Sequence, residues 1–395
     1  MHAYERPLVR RIEHALATGP NLIHIVTGPR QVGKTTLATT IAERWSSGPV
    51  RFAAADEMLP PTGEWLQTQW QLARRDARDG VCLLVLDEVQ KIPSWSDIVK
   101  GLWDADRRTR ARVKVLLLGS SALPLAQGTS ESLTGRFLLH PCVHWGFSEC
   151  KTAFGWDLDQ WLFYGGYPGA ALFAHDLKMW RTYVRDALIE PALARDVLSL
   201  QRVTKPALLR HLFAFACHFP AQAVSYNKML GQLQDAGNTT TLAHYLDLLE
   251  SAYLVTGLER FSGNVVRSRG STPKLISWNN ALINALDLRS FEEAREDRAV
   301  WGRLIENAVG AHLLNHLPRP TYAVSWWREG NDEVDFVVQG GKKMWAIEVK
   351  SGRSGSTSGL QVFRRGHPDA KSLLIGTGGM PLEEFFAADP DDVLR

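Results

Sequence analysis

A short glycine-rich run constrains this chain more than any other feature. It covers residues 28–35 and reads G-P-R-Q-V-G-K-T. Residues 21–27 before it, N-L-I-H-I-V-T, suggest a buried strand, and residues 36–44 after it suggest a helix with Leu37 and Ile41 one turn apart. A strand, a glycine loop and a helix in this order are the context in which such a loop binds phosphate. The run therefore predicts a phosphate-binding loop within an α/β fold.

Each part of this loop has a predicted task. Glycine allows tight turns, so that successive backbone N–H groups converge on phosphate oxygens, and the helix N-terminus adds a positive dipole end. We expect Lys34 to reach the β- and γ-phosphates and the Thr35 hydroxyl to hold Mg²⁺. The residues predicted to bind ATP in this loop are Gly28, Pro29, Arg30, Gln31, Val32, Gly33, Lys34, Thr35 and Thr36.

A second motif lies downstream, where an apolar run ends in two acidic residues. Residues 81–86 read V-C-L-L-V-L, and Asp87 and Glu88 follow. An uninterrupted apolar run indicates a strand buried on both faces, whose carboxyl end lies at the ligand-binding edge of a parallel sheet. We predict that Asp87 acts on Mg²⁺ and that Glu88 polarises the attacking water. An ordinary acidic turn is the alternative, but the upstream glycine loop favours nucleotide hydrolysis.

Two further residues could complete this site. Residues 114–119 indicate another buried strand, and Ser120 or Ser121, which follow it, is predicted to contact the γ-phosphate, with Ser120 as the candidate residue. A serine that caps the next helix is the alternative. Arg136 follows in the segment S-L-T-G-R-F and is predicted to stabilise transition-state charge, either in cis or from a neighbouring subunit. An ordinary surface arginine is the alternative there.

Length and composition limit the number of domains and the class of protein that this chain can form. A length of 395 residues predicts roughly two to four domains, and 45% hydrophobic with 22% charged residues is typical of a globular protein. The net charge of +3 permits nucleic-acid binding without indicating it. Four cysteines without a C-x-x-C pair predict reduced thiols and a cytoplasmic protein. Residues 1–11 are charged, so we expect no signal peptide, and the apolar runs are too short to cross a membrane.

The middle of the chain has a helical pattern. Residues 206–262 predict three helices followed by a strand, which is the order of a winged helix-turn-helix. The third helix, over residues 239–250, contains no lysine or arginine. Contacts with DNA phosphates would therefore have to come from elsewhere, and a role of this helix in packing or subunit contact is the alternative. The candidate phosphate contacts are Lys228, Arg260, Arg267 and Arg269.

A second group of chemical residues lies near the C-terminus. A hairpin is predicted around residues 340–341, which would pair Asp335 with Ala346 and place it diagonal to Glu348, with Cβ atoms roughly 7 Å apart. An aspartate followed by Glu-x-Lys is the PD-(D/E)-x-K nuclease pattern. Its carboxylates suit Mg²⁺, and Lys350 would position or activate water. A solvated, charged hairpin is the alternative.

The motifs together resemble a known family. G-P-R-Q-V-G-K-T-T-L, L-D-E-V-Q-K-I-P, L-L-L-G-S-S-A and S-L-T-G-R-F are similar to bacterial and archaeal ATPases of the AAA+ superfamily. More narrowly, they resemble the group whose C-terminal part is a domain of unknown function with a restriction-endonuclease-like fold. The segments 164–168, 194–197, 224–227 and 326–350 agree with that group. Residues 274–280, K-L-I-S-W-N-N, depart from it, because relatives commonly carry an aspartate and a glycine there.

The resemblance carries implications of its own. It implies an ATP-binding motor or switch that forms a homo-oligomer, with a hexamer as one candidate, and it suggests that Arg136 is an arginine finger or sensor. It adds Glu306 as a further acidic metal ligand of the nuclease-like site and Gln361 as a weaker, fifth member of that site. It also implies a helical lid over the nucleotide, in which an arginine touches the phosphates. The candidates for that arginine are Arg181, Arg185 and Arg195.

These observations combine into one prediction of organisation and function. The predicted domains are an AAA+ core over 1–150, a helical lid over 151–205, a winged helix over 206–262 and a nuclease-like α/β domain over 263–395. We predict an ATP- and Mg²⁺-dependent ATPase that acts on DNA by remodelling, translocation or cleavage. The alternatives are an ATP-driven switch or assembly protein, whose nuclease-like domain only binds a partner, and a nucleic-acid-binding regulator. The predicted catalytic residues are Glu88, Arg136, Asp335, Glu348 and Lys350, and the predicted metal ligands are Thr35, Asp87, Glu306, Asp335 and Glu348.

Overall fold

A computed structural model describes residues 4–55, 62–119, 132–197, 203–233, 237–263, 272–352 and 358–395. The chain divides into two units, Met1–Val143 and His144–Arg395. All four cysteine side chains are buried. Within the described ranges, the helices are either too short or too polar to cross a membrane.

The first unit alternates helices and strands, as the apolar runs predict. Its elements in chain order are α1 (Pro7–Thr18), β1 (Ile23–Thr27), α2 (Lys34–Arg44), β2 (Val50–Ala54), α3 (Gly63–Asp76), β3 (Cys82–Asp87), α4 (Trp95–Thr109), β4 (Val113–Gly119) and β5 (Phe137–Pro141). Every residue of β1 and β3 is buried, which matches the apolar run of β3 and includes the polar residues His24 and Thr27 of β1.

The five strands form one parallel sheet in the order β2-β3-β4-β1-β5. The predicted parallel α/β sheet is therefore confirmed. Because all strands run in the same direction, the carboxyl ends of β1 and β3 lie at the same edge, with only β4 between them. The glycine loop after β1 and the acidic pair after β3 therefore meet at one edge of the sheet.

The second unit is mostly helical at first and then contains two sheets. Its elements in chain order are α5 (Phe147–Phe154), α6 (Leu158–Tyr164), α7 (Pro168–Ala171), α8 (Leu177–Tyr183), α9 (Pro206–His218), β6 (Gln222–Ala223), α10 (Tyr226–Gln232), α11 (Thr239–Ser251), β7 (Val255–Leu258), β8 (Lys274–Ser277), α12 (Asn280–Asn284), α13 (Phe291–Glu296), α14 (Arg298–His316), β9 (Tyr322–Glu329), β10 (Asp332–Gly340), β11 (Lys343–Lys350), α15 (Ser358–Gly366), β12 (Lys371–Gly376), α16 (Leu382–Ala387) and α17 (Pro390–Val393). Two π-helical turns, Val184–Ile189 and Ala192–Val197, follow α8.

The smaller sheet joins strands from two of the predicted domains. Its order is β6-β8-β7, and both pairings are antiparallel. Residues 274–277 were assigned to the C-terminal domain by the predicted boundary at 263, yet β8 pairs with β7 from the middle segment. All four residues of β8 are buried, and the strand packs against α9 and α14.

The larger sheet has the order β12-β11-β10-β9 and contains the predicted hairpin. The predicted register of that hairpin is wrong. Gly340 pairs with Lys343, so the turn is formed by residues 341–342, and Ala346 pairs with Val337 instead of Asp335. Continuing this register places Asp335 directly opposite Glu348. The face of each side chain is still as predicted, because the register differs by two residues and strands have a period of two.

The turn position follows from two neighbouring glycines with different surroundings. Gly341 has φ +60°, the left-handed conformation that favours glycine. Gly340 instead stays in the strand, where a Cβ atom would lie 2.4 Å from the ring of Tyr322. The contact with Tyr322 on β9 therefore distinguishes two glycines that look equivalent in the sequence.

Candidate functional site

The backbone of the glycine loop takes the turns that its sequence predicts. Gly33 has φ +90° and Gln31 has φ +60°, both in the left-handed region. At Gly28 the constraint is space, since an added Cβ would lie 1.9 Å from the carbonyl oxygen of Cys142. Glycine is therefore required at position 28 by close packing against the chain after β5, and at position 33 by backbone conformation.

The Lys34 side chain lies within this loop. It is buried, and its Nζ donates to the carbonyl oxygens of Gly28 at 2.9 Å and Pro29 at 2.6 Å. The flexible stem of a lysine allows its ammonium to exchange these carbonyl oxygens for phosphate oxygens in the same concavity. Lys34 is therefore placed as the predicted phosphate contact requires.

Thr35 and Asp87 meet across the sheet edge. The Thr35 Oγ1 donates to Asp87 Oδ2 at 2.7 Å, and the other oxygen, Asp87 Oδ1, accepts from the backbone N–H of Glu88 at 2.8 Å. Burial raises the pKa of Asp87, the Thr35 hydrogen bond opposes this, and the nearby Glu88 carboxylate adds to it. A hydroxyl and a carboxylate oxygen at this separation are hard donors that fit Mg²⁺, so the predicted metal ligands Thr35 and Asp87 are brought together.

Glu88 directly follows β3 and has a backbone φ of +54°. This left-handed conformation ends the strand and turns the side chain away from the sheet direction. Its Oε2 accepts from Gln90 Nε2 at 2.9 Å and lies 3.4 Å from the Nζ of Lys91. The carboxylate is thus held by two neighbours from the same turn and retains partial exposure for contact with water.

A second cluster of charges lies in the C-terminal part of the second unit, around Lys274. This lysine side chain is fully buried, and its Nζ lies 2.5 Å from Glu306 Oε1, 3.3 Å from Glu333 Oε1 and 3.4 Å from Asp335 Oδ1. It also donates to the backbone carbonyl of Asp335 at 3.2 Å. We refer to Lys274, Glu306, Glu333 and Asp335 as the Lys274 cluster.

The remaining carboxylate oxygens of the Lys274 cluster also have partners. Glu306 Oε2 accepts from Arg303 at 3.0 Å, and Glu333 Oε2 accepts from Arg328. Asp335 Oδ2 accepts from the backbone N–H of Val349 at 2.8 Å. All six oxygens of the three carboxylates are therefore in contact with groups of this chain.

The predicted nuclease pair Glu348 and Lys350 lies beside this cluster. Lys350 Nζ donates to Glu348 Oε1 at 2.5 Å. Burial, together with the Asp335 carboxylate, raises the pKa of Glu348 to about 7, although Lys350 opposes the shift. For Lys274, burial alone would lower the pKa of the amine, but the attraction of Glu306, Asp335 and Glu333 raises it above its ordinary value. Lys274 is therefore held as an ammonium ion.

Family comparisons divide the chain into three matched segments. Residues 20–151 match a model described as an AAA domain. The chain contains an AAA-type ATPase domain. Residues 155–293 and 301–384 match two models that are each described as a domain of unknown function, DUF8612 and DUF4143. The AAA domain includes the glycine loop, Asp87, Glu88 and Arg136.

Two bacterial proteins are similar to this chain over most of its length. They are the uncharacterized protein Rv2008c of Mycobacterium tuberculosis and the uncharacterized protein Mb2031c of Mycobacterium bovis. Each is 27% identical over 408 residues, covering 98% of this chain and 83% of the relative. The similarity thus extends beyond the AAA domain into both segments of unknown function.

Two solved structures are similar to a smaller part of the chain. One is described as the structural basis for katanin self-assembly, with a TM-score of 0.30 and 20% identity, and it covers 38% of this chain and 54% of that chain. The other is C. elegans PCH-2, with a TM-score of 0.24 and 19% identity, and it covers 35% of this chain and 40% of that chain. At these TM-scores, neither structure carries an argument about this protein.

Arg136 lies at the edge of the AAA domain sheet opposite the glycine loop. Its carbonyl accepts from the N–H of Ile23 at 2.9 Å, at the start of β1, whereas the loop follows the end of that strand. The length of β1 separates the two by about 16 Å. The Arg136 guanidinium pairs with Asp104 at 2.9 Å and 3.2 Å. This position does not suit the predicted role in cis, while a role toward a neighbouring subunit stays a prediction.

Other predicted residues of the ATP site have different outcomes. Ser120 and Ser121 lie outside the described residues. Arg181 donates to the carbonyl oxygens of Asn284 at 3.3 Å and Arg289 at 2.5 Å, so its guanidinium forms hydrogen bonds within the second unit. Arg185 is exposed, and the side chain of Arg195 is outside what the structure describes. The predicted phosphate contact by a lid arginine stays a prediction.

The residues predicted to contact DNA are spread over the middle segment. Lys228 is exposed and lies 5.7 Å from the centre of the Phe219 ring. Arg260 donates to the carbonyl oxygen of Arg328. Arg267 and Arg269 fall outside the described residues.

Gln361, the weaker candidate for the acidic site, is exposed on α15 and lines an open groove of about 530 Å³ with Arg364 and Arg365.

The segment that departs from the family pattern has a defined structural role. Asn279 Oδ1 accepts from the backbone N–H groups of Gly166 at 3.1 Å and Ala281 at 3.0 Å. An added Cβ at Gly165 would lie 2.0 Å from the same oxygen, so the glycine pair and Asn279 pack directly together. An asparagine oxygen can accept both hydrogen bonds, as a carboxylate oxygen would.

The sequence analysis missed two buried cations, Arg6 and Lys274. Arg6 precedes α1, and its Nη1 contacts the carbonyl oxygens of Val32 at 3.4 Å and Val143 at 3.0 Å, together with Cys142 Sγ at 3.2 Å. It therefore ties the glycine loop to the chain after β5. Arg6 belongs to no motif, and the sequence signal for Lys274 is a charge at the start of a short strand, in the segment that departs from the family pattern.

Proposed function

We propose that this chain binds ATP with Mg²⁺ and hydrolyses it. The observation that carries the proposal is the contact of Thr35 Oγ1 with Asp87 Oδ2 at 2.7 Å, beside a glycine loop that holds the Lys34 ammonium. Two motifs from separate strands thus place hydroxyl, carboxylate and ammonium groups at one sheet edge. This is the set of groups that phosphoryl transfer requires.

Each group of the proposed ATP site has a role that follows from its chemistry. Backbone N–H groups of the loop and the Lys34 ammonium bind the phosphates, while Thr35 and Asp87 would hold the metal. Bound Mg²⁺ supplies charge neutralisation at the phosphate oxygens. Glu88 orients and polarises the attacking water, since its carboxylate is held at the end of β3 by Gln90.

The direct test measures ATP binding and phosphate release with the full chain. The Lys34→Ala variant should lose ATP binding, because it removes the ammonium that lies against the carbonyl oxygens of Gly28 and Pro29 inside the loop. Lys151→Ala, which removes an exposed lysine paired with Glu383, is the matched control and should leave both quantities unchanged. A Lys34→Ala protein that binds and hydrolyses ATP normally would overturn the assignment.

We further propose that the second unit acts on DNA through a winged helix and a restriction-endonuclease-like domain. Two features support this. The helix and strand order from α9 to β8 matches a winged helix-turn-helix, and the register of β10 with β11 sets Asp335 opposite Glu348. Of the predicted actions on DNA, remodelling or translocation is favoured over cleavage, because Asp335 and Glu306 already have a cationic partner in Lys274.

The DNA proposal is tested with duplex, single-stranded and branched DNA in Mg²⁺. We expect binding to each DNA to weaken as salt is raised, because phosphate contacts release counterions. We also expect the ATPase rate to change when DNA is added. Cleavage that is lost in both Asp335→Ala and Lys350→Ala would establish the cutting mode instead. An ATPase rate indifferent to all three DNAs, without DNA binding, would favour the alternative of an assembly protein.

We also propose that the chain forms a homo-oligomer, with a hexamer as the candidate arrangement. Support comes from Arg136, which lies opposite the glycine loop of its own chain, and from β5, an edge strand with two half-exposed leucines, Leu138 and Leu139. An apolar edge strand favours coverage by another chain. Sedimentation of the protein with and without ATP tests this, and a monomer under both conditions would contradict it.

A further inference from the structure

The Lys274 cluster has the composition of a cation site, and its cation is supplied by the chain itself. Carboxylate oxygens from Glu306, Glu333 and Asp335 lie within 4.8 Å of one another, close enough to share one ion. The Lys274 ammonium lies among them at 2.5–3.4 Å. Its remaining side faces the ring of Phe336, whose centre is 5.1 Å from Nζ. The ammonium is therefore enclosed by three acidic groups and one aromatic face.

The charges around this cluster are balanced. The carboxylates of Glu306 and Glu333 each have a second cationic partner, Arg303 and Arg328. Asp335 uses its second oxygen to accept from a backbone N–H of β11. A divalent cation is attracted by unpaired carboxylate charge, and Mg²⁺ gives up its water ligands reluctantly. Balanced carboxylates whose oxygens all contact groups of this chain offer a weak site for such an ion, although Oε2 of the neighbouring Glu348 accepts no hydrogen bond from the described residues.

Displacing the ammonium would also be costly. The Lys274 side chain has no exposed surface, so its charge would have to be moved out of a buried position or left there without its partners. An uncompensated buried charge is strongly destabilising. The amine is also stabilised as a cation by the three carboxylates around it. Entry of a metal ion would therefore break an existing set of ion pairs before forming its own.

We propose that Lys274 is the resident cation of this cluster, and that it occupies the place that a divalent metal would take in a nuclease-like site. The inference rests on the proposed restriction-endonuclease-like domain only where it compares the position of the Lys274 ammonium with that of a divalent metal. The second unit then engages its ligand without a divalent metal, and the three carboxylates form a latent metal site that is exposed only when Lys274 is removed.

Mn²⁺ binding, followed by the electron paramagnetic resonance signal of the free ion, tests this with the full chain in the absence of nucleotide. The wild-type protein should bind no Mn²⁺ that depends on Asp335. Lys274→Met should gain one Mn²⁺ per chain, at least about tenfold tighter than any wild-type binding, and adding Asp335→Asn should remove it. Lys343→Met, which removes an exposed lysine at the start of β11, is the matched control and should behave as wild type.

Two results would overturn the inference. One is a wild-type protein that already binds Mn²⁺ in a manner lost in Asp335→Asn. The other is a folded Lys274→Met protein that binds none, because the ammonium would then not occupy a cation site. DNA binding and cleavage are measured on the same preparations. Their absence in the wild-type protein would count against the proposed action of the second unit on DNA and leave the Lys274 result intact.

A second measurement needs no variant and applies even if Lys274→Met fails to fold. Acylation of lysine side chains in the wild-type chain is compared in a chelator and in millimolar Mg²⁺, with exposed Lys343 as the internal reference. Lys274 should be protected equally in both. Protection that is lost specifically on adding Mg²⁺ would show that the metal displaces the ammonium, and would contradict the inference.

Discussion

The Thr35 hydroxyl donates to the Asp87 carboxylate at 2.7 Å, although the two residues are 52 positions apart in the chain. The parallel pairing of β1 with β4 and of β4 with β3 brings them together, since it aligns the carboxyl ends of the strands. This contact joins the two motifs of the AAA domain into one site, and it leads to the first prediction.

Removal of the Thr35 hydroxyl should impair Mg²⁺-dependent hydrolysis. We expect Thr35→Ala to lower the rate of ATP hydrolysis by on the order of 10-fold to 100-fold, the usual loss when a metal-site group is removed. Thr35→Ser keeps the hydroxyl and should retain most of the activity. Steady-state rates over a Mg²⁺ titration check this. Equal activity in the alanine and serine variants would contradict the assignment of Thr35 to the metal.

Glu88→Gln should separate ATP binding from hydrolysis. The amide keeps the size of the side chain and can still contact Gln90, but it cannot polarise water as a carboxylate does. We expect the hydrolysis rate to fall by about 10²- to 10⁴-fold, as for loss of a general base, with ATP affinity nearly unchanged. Titration with a fluorescent ATP analogue and single-turnover rates measure the two effects. Glu43→Gln, an exposed position on α2, is the control, and normal hydrolysis by Glu88→Gln would show that Glu88 is not the base.

Mixing variants tests whether Arg136 acts on a neighbouring subunit. Arg136→Ala and Lys34→Ala should each be strongly impaired, since an arginine supplied to a phosphoryl-transfer site accelerates it by about 10³- to 10⁵-fold. A mixture of the two should recover hydrolysis, because the Lys34→Ala chain donates its Arg136 to an intact ATP site. The mixture of Lys34→Ala with Glu88→Gln should not recover, as no chain then has a complete site of its own. Full activity of Arg136→Ala alone would contradict the role toward a neighbouring subunit and assign this residue to structural contacts, such as its pair with Asp104.

The stability of the first unit should fall as the pH is lowered from 7 toward 4. His24 Nδ1 and His140 Nε2 lie 2.9 Å apart on the neighbouring strands β1 and β5. Burial lowers the pKa of both imidazoles to about 4. His140 and Lys114 add to the effect at His24, and Arg11 adds to it at His140. Their ordinary pKa is 6.5, so the unfolded chain binds more protons between these values.

The stabilisation is therefore present above about pH 6.5 and is lost as the pH falls through this window, by on the order of 1–2 kcal/mol per imidazole at pH 5. Urea unfolding at pH 7.5 and pH 5 gives the free energy of unfolding of each variant. The difference between the two values should shrink when both His24 and His140 are replaced by leucine. His14→Gln changes an exposed histidine on α1 and should keep the wild-type difference. An unchanged pH dependence in the double variant would show that the buried pair does not titrate as inferred.

The parts of this fold that could be predicted are those that leave a pattern in the local amino-acid sequence. The buried strands β1, β3 and β4 are recognisable because each is mostly apolar, with β3 an uninterrupted apolar run up to Asp87, and the glycine loop is recognisable because its turns need glycine at fixed positions. The faces of the C-terminal hairpin were also predictable, because side chains alternate along a strand. The exact turn was not, since only the ring of Tyr322 distinguishes Gly340 from Gly341.

The sequence by itself determined the α/β core and the faces of the hairpin strands on which Asp335 and Glu348 lie, because these depend on neighbours along the chain or on strand periodicity. Only the tertiary structure decided that Arg136 lies opposite its own glycine loop, since that follows from the register of β5 with β1. The tertiary structure also placed Lys274 among Glu306, Glu333 and Asp335. Those carboxylates come from α14 and β10, and nothing in the local pattern of β8 specifies which distant acids will surround a buried lysine.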